Sequence, residues 1–175
     1  AKVAALLAVG YTLDEIQNDV NPNIPASFEP VIDYVVTKIP RFNFDKFPET
    51  EPLLSTTMRS VGEVMSIGRS FSESLQKALS SLESGLSGLE RPFWKVLEGV
   101  DELKERQSLA LKDLERFTPD RLLKVGEAIR MGLTVDNIAE ATFIDKWFIR
   151  EIEQIVLIEE QLKKDGLPES SYQLL

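Results

Sequence analysis

The spacing of apolar and polar positions changes character along this chain. Lys2-Val3-Ala4-Ala5-Leu6-Leu7-Ala8-Val9 is alanine-rich and predicts a helix stopped at Gly10. Thr12, with Asp14 and Glu15 behind it, predicts the cap of a second short helix. Residues 18–30 are rich in Asn and Pro and predict an ordered loop. The β-branched run Val31–Ile39 predicts a strand ended by Pro40. Arg41-Phe42-Asn43-Phe44-Asp45-Lys46-Phe47 then alternates aromatic with polar, so three phenylalanines point one way, as an edge segment anchored on a core would have them.

The chain is organised around Met58–Arg69. Its run of Val, Met and Ile predicts a buried strand with a tight turn at Gly68, and Ser70-Phe71-Ser72-Glu73 is a capping box opening a helix to about Leu86. Ser87-Gly88 breaks that helix, and beyond it only helices are expected. Residues 101–117 are helical in composition but only loosely periodic through Leu103, Leu109, Leu111 and Leu114, which predicts a region partly exposed or mobile. From Thr118-Pro119 the pattern sharpens: Leu122, Leu123, Val125, Ala128 and Ile129 line one helix ending at Gly132. Thr134 caps a short helix, and Asp145 caps a long one with Ile144, Phe148, Ile152, Ile155, Val156 and Leu162 at three-to-four spacing. Lys163-Lys164, Gly166 and Pro168 close it, leaving Glu169–Leu175 as a loose tail.

Composition narrows the chemistry. The 175 residues include no cysteine and no histidine, so thiol nucleophiles, disulfides, thiolate metal sites and an imidazole base are all excluded. A net charge of −9 opposes nucleic-acid phosphates and anionic membranes, and no apolar run is long enough to span a bilayer. The expected partners therefore include neither nucleic acid nor membrane, and the expected location is cytoplasmic. Ala1 already stands in a helical pattern, so the chain is expected to be an internal piece of a longer one.

Several stretches together resemble the large chain of carbamoyl-phosphate synthetase. They are Pro25–Pro30 with Asp33–Phe42, Met58–Arg69 with Ser74–Leu79, Asp120-Arg121, Gly132–Asp136 and Ile144–Phe148. The resemblance covers roughly residues 1–90 and 118–165, leaving the stretch between as a variable insert. It implies a mostly α fold in two parts: residues 1–83 as the truncated α+β end of the first, carboxyphosphate-forming ATP-grasp half, and residues 84–175 as an all-α oligomerisation domain. It further implies a parent enzyme that makes carbamoyl phosphate from bicarbonate, ammonia and two ATP for arginine and pyrimidine synthesis. A small glutaminase chain would supply the ammonia through a tunnel. The cofactors implied for the parent are ATP with Mg²⁺ or Mn²⁺, and K⁺. Their ligands would lie upstream of Ala1, so this piece is expected to hold no catalytic, cofactor or metal residue and to be inactive alone. Its expected role is to link the two synthetic halves and to self-associate as a dimer or tetramer.

Few residues invite a sharper reading. Glu63 is an acid in an apolar strand, so it should either pair with Arg59 or Arg69 or border the interior carbamate passage beside Val61 and Met65, which share its face. Arg41 could grip the glutaminase chain or cap a backbone carbonyl. Trp147 and Phe148 are either buried within this chain or form an oligomer contact. Glu159-Glu160 reads as a solvated face. Two rivals of other classes stand beside this reading. One is a free-standing helical interaction module. The other is a DNA-binding helix-turn-helix over residues 132–145 and the helix that follows. That helix would offer Trp147 and Phe148 where polar base readers are needed.

Overall fold

The computed structural model describes residues 1–46 and 49–166 and divides them into two compact units, Ala1–Asp33 and a larger one from Tyr34 onward. Phe47 and the tail 169–175, both of which figure in the expectations above, lie outside the described residues.

The first unit consists of helix α1 (Lys2–Ala8) and a turn-rich loop. Gly10, at φ +105°, turns the chain out of the helix. Thr12 does not start a second helix. The Glu15 carboxylate instead accepts from both the amide and the hydroxyl of Thr12, which closes a single turn. The Asn/Pro loop is ordered by its own side chains: Asn18 accepts from the amides of Val20 and Asn21, and Gln17 bridges to Pro25 around the buried Ile16.

The second unit begins with strand β1 (Val35–Phe42), paired antiparallel with β2 (Ser60–Gly68) so that Ile39 faces Val64 and Lys38 faces Met65. Pro40 continues β1 rather than ending it, and sits opposite Glu63. A two-stranded sheet has only edges, so a residue without an amide hydrogen is tolerated. The register shifts between Arg41 and Phe42. Helix α2 (Phe71–Ser81) packs on both strands. Its start follows the expected chemistry: the Ser70 hydroxyl accepts from the Glu73 amide, and the Glu73 carboxylate reaches back to the amide of Arg69. It stops five residues before the expected Leu86. The Ser80 and Ser81 hydroxyls bond the carbonyl of Lys77, and Glu83 (φ 52°) and Gly85 (φ 82°) turn the chain away.

Among the described residues four further α-helices follow: α3 (Leu103–Leu114), α4 (Arg121–Arg130), α5 (Val135–Thr142) and α6 (Lys146–Asp165). Thr134 and Asp145 cap α5 and α6 as predicted, while α4 starts two residues later than Thr118-Pro119 suggested. Leu75, Leu79, Leu114, Val125, Ala128, Ile138, Ile149, Ile152 and Val156 form one core, so α2 belongs to the sheet and to the helical bundle alike. Gly126 lies inside α4 because Leu89 packs there: a Cβ on it would stand 3.1 Å from the Leu89 side chain.

The loosely periodic region from 90 to 118 is firmly built. Trp94, Leu97, Ala110 and Leu114 enter the core, and the rest is held by polar side chains. Arg106 donates to the carbonyls of Leu97 and Val100, and Gln107 to that of Met131. Bonds of this kind leave no hydrophobic period in a sequence.

Candidate functional site

Two surfaces gather the residues singled out above. The first is the outer face of the sheet. Strand β2 alternates, but its small residues face inward: Ser66 and Gly68 are buried against α2, while Val61, Glu63, Met65 and Ile67 face out. The expectation of a buried strand is thus corrected on this face, where Met65 is 69 % exposed and Val61 61 % exposed. The close approach of α2 explains the inversion. A Cβ at Gly68 would lie 2.8 Å from the Ser74 amide nitrogen, and Ser74 meets the Thr37 hydroxyl at 2.6 Å. At Ser66 and Gly68 only small side chains fit beneath α2, while Ile39 and Val64 at the far end of the inner face are half-buried.

Val61, Glu63 and Met65 therefore share one open face, with Val36 and Ile67 extending it. Glu63 pairs with neither Arg59 nor Arg69. Its partner is Lys38 across the strands, at 2.9 Å, with both side chains more than half exposed. Arg59 turns instead to Thr57 and the Leu53 carbonyl. Arg41 caps the Leu82 carbonyl past the end of α2 at 2.8 Å, the backbone-capping alternative.

The second surface lies at the start of α6. Trp147 and Phe148 form a cluster with Phe71 of α2, with ring centroids 5.5 Å and 5.4 Å from Phe71, respectively, and 4.9 Å from each other. Neither is fully covered: Trp147 is 49 % and Phe148 42 % exposed, and the residue that enters the core there is Ile149. The Ser72 hydroxyl donates to the Glu151 carboxylate beside them.

The charged groups that sequence reasoning passed over are buried clamps. Arg130, with a side chain only 2 % exposed, bonds Glu159, the Leu89 carbonyl and Glu127. Glu159 is thus a structural partner rather than part of a solvated face. Lys124, also buried, joins Asp113 at 2.9 Å and Asp120 at 3.1 Å, and Asp113 accepts from the Trp94 indole at 2.7 Å. Burial pushes the Asp113 carboxyl up, but the bonds from Lys124 and Trp94 outweigh it and hold its pKa below the ordinary value. Glu159 is likewise lowered: burial opposes, while Lys163 and Arg130 prevail. No helical period marks Arg130 or Lys124 as buried. Among the described residues no group of three or more acidic side chains is placed to hold a metal ion. No helix among them is long and apolar enough to cross a membrane.

Comparison with known proteins decides the family. Residues 63–175 match the family described as carbamoyl-phosphate synthetase large chain, oligomerisation domain. The chain belongs to the carbamoyl-phosphate synthetase large-chain family. It is 52 % identical over 175 residues to the carbamoyl phosphate synthase large chain of Brucella melitensis, which covers 99 % of this chain and 15 % of that one. The large chain of Xanthomonas campestris is 52 % identical over 169 residues, covering 95 % and 15 %. That of Synechocystis is 49 % identical over 167 residues, again covering 95 % and 15 %. The chain thus spans about 15 % of the length of these large-chain relatives. The match reaches across the stretch from 90 to 118, which was expected to be a variable insert, so that stretch belongs to the family's domain.

Proposed function

We propose that this chain is the part of a carbamoyl-phosphate synthetase large chain that joins its two synthetic halves and carries self-association. The observation that carries the reading is the match of residues 63–175 to the family's oligomerisation domain, together with about half identity to curated large chains across the whole chain. Residues 1–83 are read as the end of the carboxyphosphate-forming ATP-grasp half and residues 84–175 as the oligomerisation domain. The parent reaction is the synthesis of carbamoyl phosphate from bicarbonate, glutamine-derived ammonia and two ATP in the cytoplasm, with a glutaminase chain as partner and ATP with Mg²⁺ supplied elsewhere in the large chain.

Within that reading, Val61, Glu63 and Met65 line the carbamate passage. What supports this is their common open face and the exposure of their apolar side chains, an arrangement that calls for further protein over them. Placing the Lys38–Glu63 pair there gives the wall one polar point that could orient an anion's hydrogen bonds without a net charge. In the full-length synthetase, Val61→Trp should depress carbamoyl phosphate formation while bicarbonate-dependent ATP hydrolysis persists. If both rates are unchanged, the passage lies elsewhere. The chain alone should show no bicarbonate-dependent ATP hydrolysis; turnover above background would overturn its assignment as a silent linker.

A further inference from the structure

The outer face of α6 carries a pattern that no hydrogen bond or ion pair among the described residues uses. Arg150, Gln154, Leu157, Gln161 and Asp165 recur at spacings of four, three, four and four, which sets them in one stripe along the helix. All five are exposed, Leu157 by 54 %, and Ile158 beside it by 57 %. Several other charges of this helix are taken within the chain. Glu159 holds Arg130, Lys163 bridges Glu159 and Glu160, and Lys146 pairs with Asp136. Arg150 and Asp165, like Glu153 and Lys164, have no such ion pair among the described residues, and Arg150 acts on Asp136 only at longer range.

The stripe is complementary to itself when reversed. Laid antiparallel on a second copy and centred between Leu157 and Ile158, it sets Leu157 against Ile158, Gln154 against Gln161, and Arg150 against Asp165, each contact occurring twice by symmetry. A two-fold interface demands this property, the same patch meeting its own inverse. Amide pairs in the middle and opposite charges at the ends also fix the register, since a shift by one turn sets charge against amide.

We propose that α6 is the dimer seam of this domain and that its occupant is a second copy of this chain, with Leu157 and Ile158 as the anchor and Arg150 and Asp165 as the register pair. This rests on the reading that the domain self-associates and names the face. A single helix pair is small against the roughly 1,200–2,000 Å² of a standard interface, so the dimer should be concentration-dependent.

The test is sedimentation velocity on this chain over a wide concentration range, with circular dichroism to confirm folding. Arg150→Asp and Asp165→Arg each set like charges at both ends of the seam and should weaken dimerisation about tenfold or more, equivalent to about 1.4 kcal/mol. An equimolar mixture of these two variants should associate again, because one copy then offers acids at both positions and the other bases. Leu157→Asp should dissociate the dimer with no such rescue. A dimer that all three variants leave intact overturns the α6 seam while self-association stands, on another face. A wild-type chain that remains monomeric throughout overturns self-association itself.

Discussion

The sheet with its covering helix and the bundle of α3 to α6 solve the same packing problem in opposite ways. The bundle buries its large side chains: Leu114, Val125, Ile138, Ile149 and Ile152 are almost wholly enclosed. Its interior charges are each matched, Lys124 by Asp113 and Arg130 by Glu159. The sheet buries small residues and leaves Val61, Met65 and Ile67 outside. A region that is complete by itself encloses its apolar area. One that keeps apolar area open is shaped for something that covers it. The difference separates a part built for its own stability from a part built as a wall.

The largest effect should come from the bundle. Leu114→Ala removes a fully buried side chain and should cost about 3 kcal/mol, read as a lowered urea midpoint at unchanged slope. A loss below about 1 kcal/mol would mean that the bundle is as loosely committed as the sheet. Gly68→Ala probes the inner face of the sheet, where the new methyl meets the Ser74 backbone. It should cost about 2 kcal/mol by forcing α2 away, an overpacking effect. A neutral result would show that the small residues of β2 are not there for close approach.

Asp113→Asn should cost about 1.5 kcal/mol at neutral pH, since the buried Lys124 keeps only Asp120 as an acidic partner. The sign of its pH dependence follows from the lowered pKa. The stabilising charge is present above the unfolded value near 4 and is lost as pH falls through the lower folded value. The gap between wild type and variant, followed by thermal melts, should therefore narrow below about pH 4. A gap constant across that range would assign the effect to shape alone. The smallest effect belongs to the open face: Met65→Ser should change the stability of this chain by no more than about 0.5 kcal/mol. A large loss would mean that the outer face is packed in solution, by a second copy or otherwise.

Much of this architecture was legible in the sequence. The strand around Met65, the cap at Ser70 and the last helix all follow from local chemistry: a β-branched run, a capping box, three-to-four spacing. The location of open and closed faces was not legible. Val61, Met65 and Ile67 read as core because they are apolar. Whether an apolar face is covered depends on where the neighbouring helix fits, and that was set by Gly68 and Ser66. Glu63 was expected to pair with Arg59 or Arg69 or to border a passage; its partner is Lys38 on the other strand, and register is not written in either strand alone. Arg130 and Lys124 escaped notice for a related reason, since a charged residue in a helix usually marks solvent. Trp147 and Phe148 were read as either core or contact and stand between the two, resting on Phe71 with much of their surface free.

The bond between Ser72 and Glu151 has a consequence for the order in which the molecule assembles. The two residues are 79 positions apart, whereas β2 and α2 are consecutive and α5 and α6 nearly so. Closing so long a loop costs entropy before any contact rewards it. The hairpin-and-helix piece and the tail of helices can therefore each take shape early. The seam of Phe71, Ser72, Trp147 and Phe148 joins the two pieces at their edge, beside the core contacts of Leu75 and Leu79.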